Sequence, residues 1–377
     1  MEQGSNLFYY VFPIVISIIA LAGYRKPKTG LLIMIILLFF SMFRGENVGN
    51  DTKNYMSENR IQYRGGSLEV EFTKDFFLEN FGASTELIDV VLNRCVYNFK
   101  LPPRLIIWVY ALISIVVLYN ALRRFRVNTS IGLLIFVLSG LYYFSLSAAR
   151  QMAAVSIVLY ALTFVVSNNN DSSLKKENKQ IYKNDFARFL LLMLIAAMIH
   201  TSAFFYIVLY PIKFIRINKN IITILLSFVC ILCVLLTIDP MSYVYSIINI
   251  EYVIRYMGNY DEIGRSFMGR IVDFLTYSFC IYTFYKGSKK VTGTADNIFA
   301  FSILLMAIFG QTSGLIARIT YYVTVFMTVY ISRSLLPCKT LRKDTLYYLF
   351  LMYVLLSIYN VGGYGSSALT SGYYLMF

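Results

Sequence analysis

This 377-residue sequence predicts an all-α, polytopic integral membrane protein, and three observations lead there. Apolar runs close to bilayer length recur along the whole chain. Only 14% of residues are charged, where a soluble domain carries about a quarter. The basic residues are mostly confined to short turns between the runs.

The expected spans, about ten, fall near 7–23, 29–43, 104–122, 130–146, 150–167, 220–238, 270–285, 296–316, 318–332 and 345–361. The first run is expected to remain as a span. Its N-terminal flank carries Glu2 without Lys or Arg, and no small-residue cleavage site follows it. Residues 189–212 break the alternation, because basic residues flank both ends. Two readings stay open there: a re-entrant helical hairpin with its tip near "MIHTSA", or one long tilted helix. The whole chain, 1–377, is read as a single transmembrane domain.

Most of the 34 Lys and Arg residues lie in six segments: 24–28, 123–129, 168–188, 213–219, 286–290 and 333–343. Acids are few there, and elsewhere the two signs nearly balance. The positive-inside rule makes these segments cytoplasmic. The N-terminus, the loops 44–103 and 239–269 and the C-terminus then face outward, and the two loops contribute to an outward-facing site. The net charge of +14 therefore describes topology and gives no case for nucleic acid.

The outer loop 44–103 is too long to be structureless. "STELIDVVLNRCVYNFK" carries apolar stripes at Leu87, Val91, Cys95 and Phe99 and at Ile88, Leu92 and Val96. Ser84 is a candidate N-cap and Pro102–Pro103 the stop, so an amphipathic helix on the outer face or over the bundle is expected. Residues 241–257 read as a second such helix, and the C-terminal tail is Gly/Ser-rich.

Cysteine and histidine usage narrows the chemistry. Cys230 and Cys233 form a CxxC inside a Leu/Ile/Val run, which reads as two small apolar residues on one helix face. A single histidine, His200, excludes a His-rich metal site. No metal and no cofactor is expected.

The charges at the outward helix ends need a reason. Arg44, Arg104, Arg150, Arg270 and Arg318 stand there, with Arg255 and Arg265 on an outer loop. Snorkelling to headgroups accounts for any one of them, but Arg150 in "SAARQMAAVS" and Arg318 in "GLIARITYY" stand out against apolar flanks. Arginine's planar fork suits phosphate oxygens, so the set reads as an outward cavity for a lipid phosphate or diphosphate. Asp51 is either a helix cap or a functional acid, and His200 either a structural residue or a base.

Four stretches carry a resemblance. "FRGENVGNDTKNY" supplies Arg44, Gly49, Asp51 and Tyr55. "SAARQMAAVSIVLYAL" supplies Arg150 and Gln151. "IAAMIHTSAFFYIVLYPI" supplies His200, Ser202 and Ala203. "ARITYY" supplies Arg318, Tyr321 and Tyr322. In this order the set resembles the EpsG-like proteins of the Wzy-type bacterial polysaccharide polymerases, which make O-antigen, capsule or exopolysaccharide. Thr52 follows Asp51 where an aromatic often stands in that family, and the usual Pro-Gly-Tyr-like segment is missing from 79–90.

The resemblance implies a glycosyltransferase of the bacterial cytoplasmic membrane acting on polyprenyl-diphosphate-linked oligosaccharides. A sugar hydroxyl on one carrier attacks the anomeric carbon of a chain on another and expels polyprenyl diphosphate. Arg150 and Arg318, then Arg44 and Arg270, would stabilise the diphosphate. His200 or Asp51 would serve as base, with His200 slightly favoured. Arg255, Arg265, Tyr55, Gln151, Tyr321 and Tyr322 complete the expected substrate-binding set. Implied partners are the bilayer, the lipid-linked oligosaccharides, and a chain-length regulator and flippase of the same pathway. The rivals are a ligase with another acceptor, a lipid-linked oligosaccharide transporter, a membrane acyltransferase and a non-catalytic assembly subunit.

Overall fold

The computed structural model describes residues 7–49, 51–58, 60–61, 87–166, 178–235, 267–309, 320–335, 347 and 349–354. Arg255, Arg265, Arg318, the expected helix at 241–257, the candidate cap Ser84 and the Gly/Ser-rich tail lie outside them. The named elements of the described residues are all helices, and Asn218 pairs with Val291 in an isolated bridge. They fall into two compact units, one within Met1–Val208 and one within Leu209–Tyr364.

The first unit begins with α1 (Leu7–Gly23) and α2 (Pro27–Met42). Pro27 opens α2, where its missing N–H costs nothing. The short α3 (Thr52–Tyr55), α4 (Leu87–Asn98) and α5 (Arg104–Arg124) follow. Then come α6 (Thr129–Leu138), α7 (Leu141–Ser147), α8 (Ala149–Leu162) and α9 (Asn178–Ile199). Among the described residues α5 is the one helix both long and apolar enough to cross a bilayer unaided. Its 21 residues rise about 30 Å. The expected span 130–146 is instead a bent pair: α6 and α7 meet at 65° across Ser139–Gly140, and Gly140 takes a left-handed φ of 79°. The other apolar helices are 10–17 residues long.

α8 is buried on nearly every side. It packs along α5, where Ser156 Oγ donates to the Ser114 carbonyl at 2.7 Å. Ala153, Ala154 and Ser156 allow the close approach. The two ends of this unit differ chemically. At one end the basic turns meet. Asn128 caps α6 through Ile131 N–H and donates to the Tyr24 carbonyl, and Arg124 lies 4.0 Å over the Phe164 ring. The opposite end holds Arg44, Arg60 and Arg150, described below.

α4 forms where the sequence predicts a helix, but two of its polar residues turn inward and part of one apolar stripe turns outward. Val91 and Phe99 of the apolar stripe are exposed, whereas Asp89, Val90, Asn93 and Val96 are buried. In a membrane protein outward apolar side chains meet lipid at no cost, so polar groups with partners inside decide the orientation.

α9 runs as an α-helix to Ile199, after which the chain continues as 3₁₀ turns over Thr201–Leu209 and Pro211–Phe214. A single continuous α-helix through 189–212 is therefore not formed. The change falls at His200, whose N–H bonds the Ala196 carbonyl while its carbonyl accepts from Ala203 N–H.

The second unit contains α10 (Lys219–Cys230), which passes into a π turn at Ile231–Leu235, then α11 (Phe267–Gly287) and α12 (Thr294–Phe309). Two shorter helices follow, α13 (Tyr321–Thr324) and α14 (Phe326–Leu335). Cys230 and Cys233 are buried, as small apolar residues would be. Its basic turns are fastened by hydrogen bonds and one ring stack. Thr292 N–H bonds the Ile217 carbonyl, Asn297 reaches the Ile215 carbonyl, and Tyr330 stacks on Phe299 while donating to Asp296.

Candidate functional site

The stretch Phe43–Tyr55 leaves α2 and folds onto the end of α7. Arg44 is buried, at 2% exposure. Its Nη1 donates to the Ser41 carbonyl at 2.8 Å and its Nε to Thr52 Oγ1 at 3.0 Å. Thr52 in turn reaches the carbonyls of Val48 and Leu146. Gly49 has φ +85° and sits so close to Leu146 that a Cβ there would lie 2.0 Å from its carbonyl oxygen. No side chain fits, which is the physical need for glycine at this position. Arg44 thus fastens this stretch against the segment that leads into Arg150. Asp51 occupies the N-cap position of α3, yet its side chain makes no capping bond. The half-buried carboxylate is not spent on that task.

Next to this stretch lies a cluster around Asp89, which is fully buried. Tyr110 donates to its Oδ1 at 2.8 Å. Two guanidiniums share its Oδ2: Arg60 Nη2 at 2.8 Å and Arg150 Nη1 at 3.5 Å. Asn93 donates to the Asp89 carbonyl. Both arginines also lie against the Tyr55 ring, Arg60 at 4.6 Å and Arg150 at 5.5 Å from its centroid. Arg150 Nε donates to the Tyr55 hydroxyl at 3.3 Å. Four elements therefore meet here: α3 with the residues just after it, α4, α5 and the start of α8. Tyr110 stands six residues into α5, about 9 Å from its first residue along the axis. The arginines are held differently. Arg60 meets Asp89 in a short ion pair, whereas Arg150 meets the same carboxylate at 3.5 Å, beyond the 2.7–2.9 Å typical of charge-assisted bonds. Arg150 is also the more open, at 21% side-chain exposure against 10% for Arg60.

A cavity of about 730 Å³ in the same unit is lined by residues of α4, α5, α8 and α9. Its walls are mostly aliphatic, with Asn120, Arg123 and Arg124 as polar members. Ile88 and Ile199 both line it. The cluster residues and His200 are not among its lining residues.

The sequence places EpsG-like motifs at Arg44, Asp51, Tyr55 and Arg150, and the fold brings these stretches together. A family model described as EpsG family matches residues 28–175 and 178–375. The chain belongs to the EpsG family. No curated protein and no solved structure matches it. Membership of the EpsG family ties the chain to polysaccharide biosynthesis and to the membrane.

The remaining expected site residues are placed as follows. Gln151 is buried beside Arg150 in α8. Arg270 lies in α11 of the second unit, with its Nε buried and without a hydrogen-bond partner among the described residues. Tyr321 is half-buried in α13, and Tyr322 is fully buried, a core position. Sequence reasoning missed Arg60, Asp89 and Tyr110. The signal for Asp89 was the Asp89–Asn93–Val96 spacing, which puts two polar residues on one face of α4.

Proposed function

We propose that this EpsG-family protein polymerises polyprenyl-diphosphate-linked oligosaccharide repeat units. The transfer takes place at the outer face of the cytoplasmic membrane. The observation that carries this reading is Arg150: a partly open guanidinium, 3.5 Å from Asp89 and 3.3 Å from the Tyr55 hydroxyl, at the N-terminal end of a buried helix. A partly exposed guanidinium suits the oxygens of a diphosphate, and α8's first N–H groups favour the same charge. Diphosphate is the leaving group when the hydroxyl of an incoming unit attacks the anomeric carbon. Positive charge held in place before the C–O bond breaks stabilises that departure.

His200 and Asp51 are the candidate bases for the attacking hydroxyl. His200 stands at the end of α9, where the helix breaks, and Asp51 has a carboxylate not used for capping. The basic turns gathered at one end of the first unit support a cytoplasmic assignment for that end and an outward one for Arg150. In this topology both termini face outward, and about ten spans form the membrane domain.

Deletion of the gene in its own host tests the reading, with glycan length measured on the lipid carrier and at the cell surface. Loss of polymer with single repeat units still exported is expected. Full-length polymer stranded on the carrier identifies a ligase instead. Repeat units trapped on the cytoplasmic side identify a flippase.

A further inference from the structure

Arg60 has no place in the reaction as described so far, and its surroundings single it out. Its side chain is nine-tenths buried, yet Nη1 is buried without a hydrogen-bond partner among the described residues. Leaving a donor of a buried cation unmet is costly, so such a group calls for a specific occupant: a water, an ion or a ligand oxygen. The other half of the fork is fixed. Nη2 pairs with Asp89 at 2.8 Å, and the guanidinium lies 4.6 Å from the Tyr55 ring centroid. The free N–H therefore has a set direction. Arg150 meets the same carboxylate oxygen and the same ring.

We propose that Arg60 and Arg150 form a two-guanidinium clamp for a phosphoryl oxyanion, with Asp89 as the counter-ion that positions both. The inference rests on the polymerase reading for the source of that oxyanion, the diphosphate of the lipid carrier. A phospholipid headgroup offers the same chemistry. Asp89 does not touch the ligand. It holds the two forks in register through one oxygen, while Tyr110 occupies the other. On binding, Arg150 leaves its 3.5 Å contact for phosphate, while Arg60 keeps Asp89 and offers Nη1.

The test uses the purified full-length protein and farnesyl diphosphate, farnesyl phosphate and farnesol as probes. Binding is read by titration and melting temperature by thermal denaturation. The wild type is expected to bind the diphosphate, the monophosphate more weakly, and farnesol least. Arg60→Gln should weaken diphosphate binding about tenfold or more, the loss of one charge-assisted bond. Arg60→Lys guards against misfolding: it keeps a cation on Asp89 and the melting temperature, but lacks the planar fork and should also bind weakly. Asp89→Asn should erode the preference for diphosphate over monophosphate, which loss of stability alone would not do.

Wild-type binding in both folded Arg60 variants overturns the clamp, as does an unchanged preference in Asp89→Asn. A parallel titration with phosphatidylglycerol separates the sources. If that lipid binds in place of farnesyl diphosphate and is lost in the same variants, the clamp stands and the carrier diphosphate is overturned as its ligand.

Discussion

Asp89 in the first unit and Asp296 in the second are both carboxylates set among helices, and both accept a bond from a tyrosine hydroxyl at 2.8 Å. Their other partners differ. Asp296 is half-buried in the first turn of α12, where it accepts from Gly293 N–H. Its partners are neutral, and the helix N-terminus favours its charge. Asp89 is fully buried and shares one oxygen between two guanidiniums. A carboxylate that closes a turn needs only donors. One that gathers two arginines brings cations into a place where they are expensive, and this is the usual mark of a site rather than a joint.

The largest expected effect belongs to the open arm of the cluster. Arg150→Ala should abolish chain extension, a loss of at least about a hundredfold in rate if it supplies transition-state charge stabilisation. The check is polymer length in a deletion strain complemented with the variant, alongside its level in the membrane. Arg150→Lys should also extend poorly, because an ammonium lacks the planar fork. Normal polymer in Arg150→Ala would make the cluster as structural as the Asp296 joint and break the comparison.

Packing faults at the neighbouring stretch come next. Gly49→Ala places a Cβ 2.0 Å from the Leu146 carbonyl oxygen and forces a left-handed φ on alanine. The backbone must move, and the stretch should lose its seat on α7. We expect a lower melting temperature and reduced polymer together. Thr52→Val should do the same more gently, by about 1–3 kcal/mol, since it leaves Arg44 Nε without its 3.0 Å acceptor.

How much of this was legible in the sequence differs between helices and site. α1 is bounded where its uniform apolar run ends, and α2 and α5 follow theirs within a few residues. The bend at Gly140 was hidden because apolar residues continue across it. Arg44, Gly49, Asp51, Tyr55 and Arg150 were legible through local motifs. Arg60 and Asp89 were not, because their meaning is a contact between residues 29 positions apart. An aspartate on a helix with an apolar stripe reads as its solvated face. In this fold Val91 and Phe99 face out while Asp89 turns inward, and the partners waiting there, Tyr110 and the two arginines, come from three other stretches. Periodicity finds a helix, but which face is buried depends on what it meets.

The finest test makes the same change at both carboxylates. Asp89→Asn removes the carboxylate paired with Arg60 at 2.8 Å and should cost about 3–5 kcal/mol, as breaking a buried pair does. Asp296→Asn keeps an oxygen that can accept from Gly293 N–H and Tyr330, and loses mainly the interaction of its charge with the start of α12. That is about 0.3–1 kcal/mol at a half-exposed helix end. Melting temperatures of the two variants in one detergent should therefore separate clearly, with polymer length unchanged in Asp296→Asn. Equal losses in both would mean that the guanidiniums add nothing at Asp89 beyond what neutral donors supply at Asp296. A large loss at Asp89 alone ties the cost to the arginines, and so to the groups on which the clamp depends.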